Sequence, residues 1–250
     1  MYQTKNLLSI SADSKTVKGE KLGYLTGILY LAPATTTAYN TCSMAVIAEC
    51  SKACLYSAGR GAFNSVQQGR INKTVWYFEE RSTFMIRLYK NILSLINKAK
   101  KQGLTPLIRL NGTSDIRWEN VPLTIDGVYY VNIMSAFPTV EFYDYTKDVN
   151  RDNLPSNYDL TFSYSGVLKY QKYVNIALSK GMRIAAVFRS KDIIPAKFMG
   201  LDVIGGDNSD IRHVEPKNTI VALYAKGAAK HDMTGFVVDK ASARMIALSL

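Results

Sequence analysis

Hydrophobic and polar positions along this chain switch between two periods. "YLTGILYLAP" (24–33) is a nearly continuous apolar run, rich in Leu, Ile and Tyr and closed by proline, the pattern of a buried strand. From Gln67 to Lys101 the period lengthens. Ile71, Val75, Phe78, Met85, Leu88, Ile92, Leu95 and Ala99 recur at steps of three, four or seven, which predicts one long amphipathic helix or two in series. Lys98, Lys100 and Lys101 suit the negative end of its dipole, and Gly103 stops it. Short β-rich runs then return at "LTPLIRLNG" (104–112), "TVEFYDYTK" (139–147), "YDLTFSYSG" (158–166), "MRIAAVFRS" (182–190), "LDVIGG" (201–206) and "NTIVALYAKG" (218–227). Between two of them "VLKYQKYVNIALSKG" (167–181) carries a helical period with Val174 and Leu178, ended by Gly181.

Strands alternating with helices predict a parallel sheet, because parallel neighbours need crossover connections. A chain of 250 residues, 47% of them hydrophobic, supports one large core, so the expected organisation is a single α/β domain over residues 1–250. Seven strands of this kind predict an open, partial (β/α) barrel with a mainly parallel sheet.

In parallel α/β architectures the loops at the carboxyl ends of the strands converge on one crevice. The polar strand tails therefore matter: Arg109, Asn111, Ser114, Asp115 and Glu119 after the second strand, Tyr143, Asp144, Tyr145 and Lys147 after the third, Ser163 and Ser165 after the fourth. Asp207, Asp210 and Arg212 follow the sixth strand and Lys226 the seventh. Singly, such residues are ordinary turn formers. As a set, Arg109, Asn111, Asp115, Asp144 and Asp207 are expected to face the crevice and orient a small-molecule substrate or cofactor.

All three cysteines fall in the loop after the first strand, in "YNTCSMAVIAECSKACLYSAGRG" (39–61), as Cys42, Cys50 and Cys54 with spacing C-x7-C-x3-C. Cysteines used as small apolar filler would scatter along the chain. An odd number also leaves one thiol outside any disulfide scheme. Their clustering points to a metal or iron–sulfur site. A four-iron, four-sulfide [4Fe-4S] cluster in its electron-transfer form takes four protein thiolates, so three leave one iron open to a small molecule. Zinc is the alternative, with His213 or His231 as a fourth donor.

Charge and absent motifs narrow the classes. With 31 Lys+Arg against 20 Asp+Glu the net charge of +11 suits a polyanionic partner such as nucleic acid, and the alternative to an enzyme is a non-catalytic zinc or iron–sulfur protein whose basic helix residues Arg70, Lys73, Arg81, Arg87 and Lys90 meet nucleic acid or a host partner. The chain has no H-E-x-x-H, G-x-S-x-G or P-loop sequence, so the hydrolase and nucleotide-triphosphatase readings have no support beyond scattered Ser and Asp. No apolar run is long enough for a membrane span, and "MYQTKNLLSISADSKTVKG" lacks the order of a secretory signal, so the expected location is the cytoplasm.

The blocks "LYLAPATTTAYNTCSMAVIAECSKACLYSAGRG", "RLNGTSDIRWE", "FYDYTK", "LTFSYSG" and "VALYAKGAAKHDMTGFVVD" resemble the phage-encoded family named after gene product 88, from about Leu8 to Asp239. The resemblance implies a bacteriophage origin and action in the cytoplasm of the infected host, with no activity attached. It picks out Cys42, Cys50, Cys54, Arg60, Arg109, Asn111, Asp115, Glu119, Asp144, Lys147, Asp207, Asp210 and Lys226. A more distant, architectural likeness is to radical S-adenosylmethionine enzymes, which also use a partial α/β barrel and three cysteines after the first strand. That likeness implies a four-iron cluster with one iron free for S-adenosylmethionine. Their usual spacing is C-x3-C-x2-C, and the glycine-rich segment expected after their second strand is "NGTSD" here.

Overall fold

The helical period that runs from Gln67 to Lys101 is broken at Glu80, whose backbone leaves the helical region at φ −131° and ψ 55°. Two helices result in this computed structural model, which describes residues 4–11 and 14–240: α2 (Asn64–Glu79) and α3 (Arg81–Lys101). Trp76 Nε1 donates to Thr83 Oγ1 across the break at 2.8 Å. The other helices are α1 (Ser14–Lys21) and α4 (Gln171–Ser179).

The strands are β1 (Leu8–Ile10), β2 (Tyr24–Leu29), β3 (Thr105–Arg109), β4 (Leu123–Ile125), β5 (Val128–Tyr130), β6 (Glu141–Thr146), β7 (Tyr158–Ser163), β8 (Ile184–Phe188), β9 (Lys197–Phe198), β10 (Leu201–Gly205) and β11 (Ile220–Tyr224). Among the described residues nine of them form one sheet in the order β1-β2-β3-β6-β7-β8-β11-β10-β9, and β4 and β5 form a separate hairpin. All pairs from β2 to β10 are parallel, and only the edge strands β1 and β9 run antiparallel. The fold is thus mixed α/β with a large, mostly parallel sheet, and the parallel strands are the seven that the sequence predicts. Two features of the strand order matter for the site. The last two parallel strands exchange places, with β11 inserted between β8 and β10, and the edges β1 and β9 do not pair with each other among the described residues.

Side chains alternate across each strand, so the two faces of the sheet carry different cores. On one face Leu25, Leu29, Ile108, Leu110 and Phe142 pack against Phe84, Leu88, Ile92 and Leu95 of α3, and Phe162, Ile184 and Ala186 pack with Val174 and Ala177 of α4. On the other face Leu107 and Tyr143 meet Ile211 from the segment after β10, with Tyr24 alongside. That segment also brings Asp210 to Arg109 of β3 (2.7 Å) and to the hydroxyls of Tyr143 and Tyr145 of β6 (3.2 Å each). Lys18 of α1 donates to the Asp207 carbonyl at 3.5 Å, so elements at the two ends of the strand order come within touching distance. No helix among the described residues is long and apolar enough to cross a membrane.

Candidate functional site

The loop after β2 does not stay beside its own strand. The Thr41 carbonyl accepts from Asp115 N–H at 2.8 Å in the loop after β3, the Ala48 carbonyl from Ser165 Oγ at 2.8 Å after β7, and the Glu49 carbonyl from Thr234 Oγ1 at 3.4 Å after β11. Lys169 adds an ion pair to Glu49 at 2.6 Å. The cysteine loop therefore lies across the carboxyl ends of the parallel strands, and Cys42 and Asp115 stand at the same end of the sheet.

Cys42, Cys50 and Cys54 are all unpaired and half-buried. The Cys42 thiol lies 3.9 Å from the Thr113 carbonyl and 3.8 Å from Thr41 Oγ1, and the Cys50 thiol 4.0 Å from the Ala45 carbonyl. Burial pushes all three thiols up, Cys42 to about 12, and each responds to the charge of a neighbour: Cys42 to Asp115 and Cys54, Cys54 to Cys50. In the absence of a metal they are neutral thiols at physiological pH.

Two buried cations share their surroundings. Lys147, one residue past β6, spends its ammonium hydrogens on Ser163 O (2.8 Å), Ser163 Oγ (3.0 Å) and Tyr164 O (3.0 Å), between the rings of Phe236 (4.7 Å) and Tyr170 (5.3 Å). Burial pulls it down to about 8, against the opposing influence of Cys50, Asp115, Cys42 and Cys54. Arg70 projects from α2 between the rings of Tyr30 (4.8 Å) and Tyr56 (5.3 Å) and donates to the Tyr56 carbonyl at 3.0 Å. Its charge, with that of Lys147, draws the Cys54 thiol down against the effect of burial. Neither cation forms an ion pair among the described residues, and Arg70 Nε has no hydrogen-bond partner there.

Most of the remaining polar tails are hydrogen-bonded to the protein itself. Asn111 is consumed inside its own loop: Oδ1 accepts from Ser114 Oγ (2.9 Å), Ile116 N–H (3.0 Å) and Trp118 Nε1 (3.0 Å), and Nδ2 donates to Ile116 O (2.9 Å). Asp144 is fully buried and accepts from Asn111 N–H (2.7 Å), Leu110 N–H (3.3 Å) and the Tyr158 hydroxyl (2.9 Å). Burial pushes its carboxyl up to about 7, despite Arg109 and these donors. Arg109 points to Asp210 on the sheet face, and Asp207 holds Tyr224 N–H (3.3 Å) and Lys226 Nζ (2.9 Å) at β10 and β11. Asp115 alone of the five acts on the cysteines. Its carboxylate receives Lys147 N–H at 2.7 Å and Arg151 at 3.4 Å, and Arg151 also grips Glu119 through two nitrogens.

Lys147 was legible as a strand tail and Arg70 as a helix cation, but their meeting at the thiols was not. Arg70 does leave one trace: it stands four residues before Thr74 and seven before Tyr77 on the buried side of α2. The expected basic face changes accordingly, since Arg70 is buried and Lys73 reaches inward to the Leu7 carbonyl at 3.4 Å.

No group of three or more His, Cys, Asp or Glu side chains among the described residues is arranged to hold one metal ion. His213 packs edge-on against Tyr24, the first residue of β2, and beside Tyr143, on the sheet face that meets Ile211, so it is not brought to the cysteines. His231 is exposed after β11.

The family model described as gene product 88 (GP88) matches residues 4–240, and the chain belongs to that family. No curated protein and no solved structure matches it.

Proposed function

We propose that this member of the gene product 88 family is a phage iron–sulfur protein of radical-S-adenosylmethionine-like design, acting in the cytoplasm of the infected host. Cys42, Cys50 and Cys54 would hold a [4Fe-4S] cluster with one iron lacking a protein ligand. The open, mostly parallel sheet is read as a partial barrel, with the cysteine loop across its carboxyl mouth.

One observation carries this reading: the three thiols lie in the surroundings of Lys147, with Arg70 beside Cys54, and neither buried cation forms an ion pair among the described residues, Asp115 being the one carboxylate whose charge reaches Lys147. Buried charge is costly unless compensated, and neutral thiols compensate nothing. A thiolate-bound iron–sulfur group is anionic and supplies the missing charge. Each thiolate of such a group binds a different iron, so the sulfurs need not converge on a point as they must around one zinc ion. When bound, the cluster supplies an electron and an open coordination position. The residues of this chain do the rest: Lys147 and Arg70 hold positive charge beside the thiolates, Asp115 and Arg151 fix the backbone at Lys147, and Phe236 and Tyr170 limit water at its ammonium group. S-adenosylmethionine is the proposed small-molecule ligand by architectural likeness alone.

Protein purified without oxygen is expected to be brown and to carry roughly four irons and four sulfides per chain. Cys42→Ala, Cys50→Ala and Cys54→Ala should each bleach it, and binding of S-adenosylmethionine to the loaded protein is measured separately by calorimetry. A colourless protein with one zinc per chain would establish the zinc reading instead. Metal-free protein whose three thiols alkylate freely while folded would overturn both.

A further inference from the structure

We propose that the outward face of α3 between Lys90 and Lys101 binds the phosphate backbone of duplex DNA, independently of whatever the cysteines hold. The twenty-one residues of α3 include Arg81, Arg87, Lys90, Lys98, Lys100 and Lys101 and not one Asp or Glu. Cations in the last turn are explained by the helix dipole, but that explanation does not reach Lys90, three turns from the end. Nor are these charges spent within the molecule, since none of the six forms an ion pair among the described residues.

The inward and outward faces of α3 divide cleanly. Phe84, Leu88, Ile92, Leu95 and Ala99 are buried against the sheet, whereas Lys90, Ser94, Asn97, Lys98 and Lys101 are exposed and line one shallow depression with Leu93. From Lys90 to Lys101 this face is about 16 Å long. The carboxylates near the helix lie elsewhere: Glu79 and Glu80 precede its first turn, and Asp126 is on the β4–β5 turn. Lysines separated by small hydrogen-bonding side chains suit successive phosphates.

The same face argues against single strands. Non-specific single-strand binding uses exposed aromatic rings as stacking platforms. Here the α3 aromatics are turned away: Phe84 is fully buried against Trp76 and Tyr77, and Tyr89 packs on Phe137. What is left is charge along a straight rod, which reads a duplex backbone without reading its bases.

The test is fluorescence anisotropy of a labelled 20-base-pair duplex titrated with the full chain across a salt series. K90Q/K98Q/K101Q is compared with K21Q/K172Q/K230Q, which removes the same charge from exposed positions elsewhere. Each lost phosphate contact makes the log–log salt slope shallower by about 0.9, so the α3 variant should lose about 40-fold of the affinity change that wild type shows between 50 and 200 mM salt. The control variant should keep the wild-type slope, and both should keep the wild-type helical spectrum. Equal slopes in the two variants would overturn the proposal, as would failure of wild type to bind the duplex at 50 mM salt, or its tighter binding to a single strand of equal length.

Discussion

Asp144 shows how one residue type answers two different questions. Its carboxylate sits where a ligand-binding group is expected, two residues from the end of a parallel strand, yet two backbone N–H groups and a tyrosine hydroxyl occupy it. A polar residue at a strand end has the same sequence signature whether it meets a ligand or braces the neighbouring loop, so its role was hidden until the partners were in place. Burial has a measurable consequence here. The folded protein holds the Asp144 proton up to about pH 7, whereas the unfolded chain releases it near the ordinary value of 3.8. Between those values the native state binds more protons than the unfolded state, so stability falls as pH rises from about 4 to about 7 and is level beyond. The fall amounts to up to about 4 kcal/mol at 1.36 kcal/mol per unit. Asp144→Asn retains an acceptor for Asn111 N–H and lets the Tyr158 hydroxyl reverse its role. Denaturant titrations at pH 4 and pH 7 should show that variant with a clearly smaller difference than wild type; an unchanged difference would mean that Asp144 titrates normally.

At the scale of elements, the cysteine loop is held by its junction with α2. Gly61 marks the tightest point, because a Cβ there would lie 2.2 Å from the Tyr56 carbonyl oxygen and 3.2 Å from the Arg70 guanidinium. The obstacle is backbone, which does not swing aside as a flexible side chain does. Gly61→Ala must therefore displace the turn that carries the Tyr56 carbonyl, and Arg70 and Cys54 with it. The core between α3 and the sheet is untouched, so the expected result is faster alkylation of the thiols in metal-free folded protein and less iron retained per chain, with a melting temperature close to wild type. Gly69→Ala is the matched control: nothing lies within 4 Å of its Cβ position on α2, and it should be neutral or stabilising by up to about 1 kcal/mol. Equal thiol reactivity in the two variants would remove the junction from the site. The seven parallel strands and the helices α2, α3 and α4 were legible because their apolar periods run over five or more residues, whereas α1, SKTVKGEK, has a single large apolar residue and shows no period. β1, β4, β5 and β9 have only two or three residues each, too few to display a period, and exist because a neighbour pairs with them.

For the molecule as a whole, the least legible feature is what lies on the sheet face away from α3 and α4. Periodicity predicts which strands form, but neither the insertion of β11 between β8 and β10, which strand pairing decides, nor the path of the segment after β10, which depends on contacts such as Arg109–Asp210, 101 residues apart in sequence. That segment is fastened by a knot of charge. Asp210 receives Arg109 and two tyrosine hydroxyls, and Arg212 bonds Tyr145 Oη (2.7 Å), the Gly206 carbonyl (2.5 Å) and Glu215. The Arg109 and Asp210 side chains are only 13% and 10% exposed, so loss of one partner strands the other in a poorly solvated place. Asp210→Asn should cost about 3–5 kcal/mol. In a chain of this length that lowers the melting temperature by roughly 6–20 °C. Asp152→Asn, which breaks the open Lys180–Asp152 pair with side chains 36% and 71% exposed, should cost under about 1 kcal/mol. The double variant Arg109→Met/Asp210→Asn should recover part of the loss, because it removes both charges together and leaves an amide oxygen to accept from a tyrosine hydroxyl. If Asp210→Asn melts no lower than Asp152→Asn, the segment is not fastened by this pair and is held by packing around Ile211 instead.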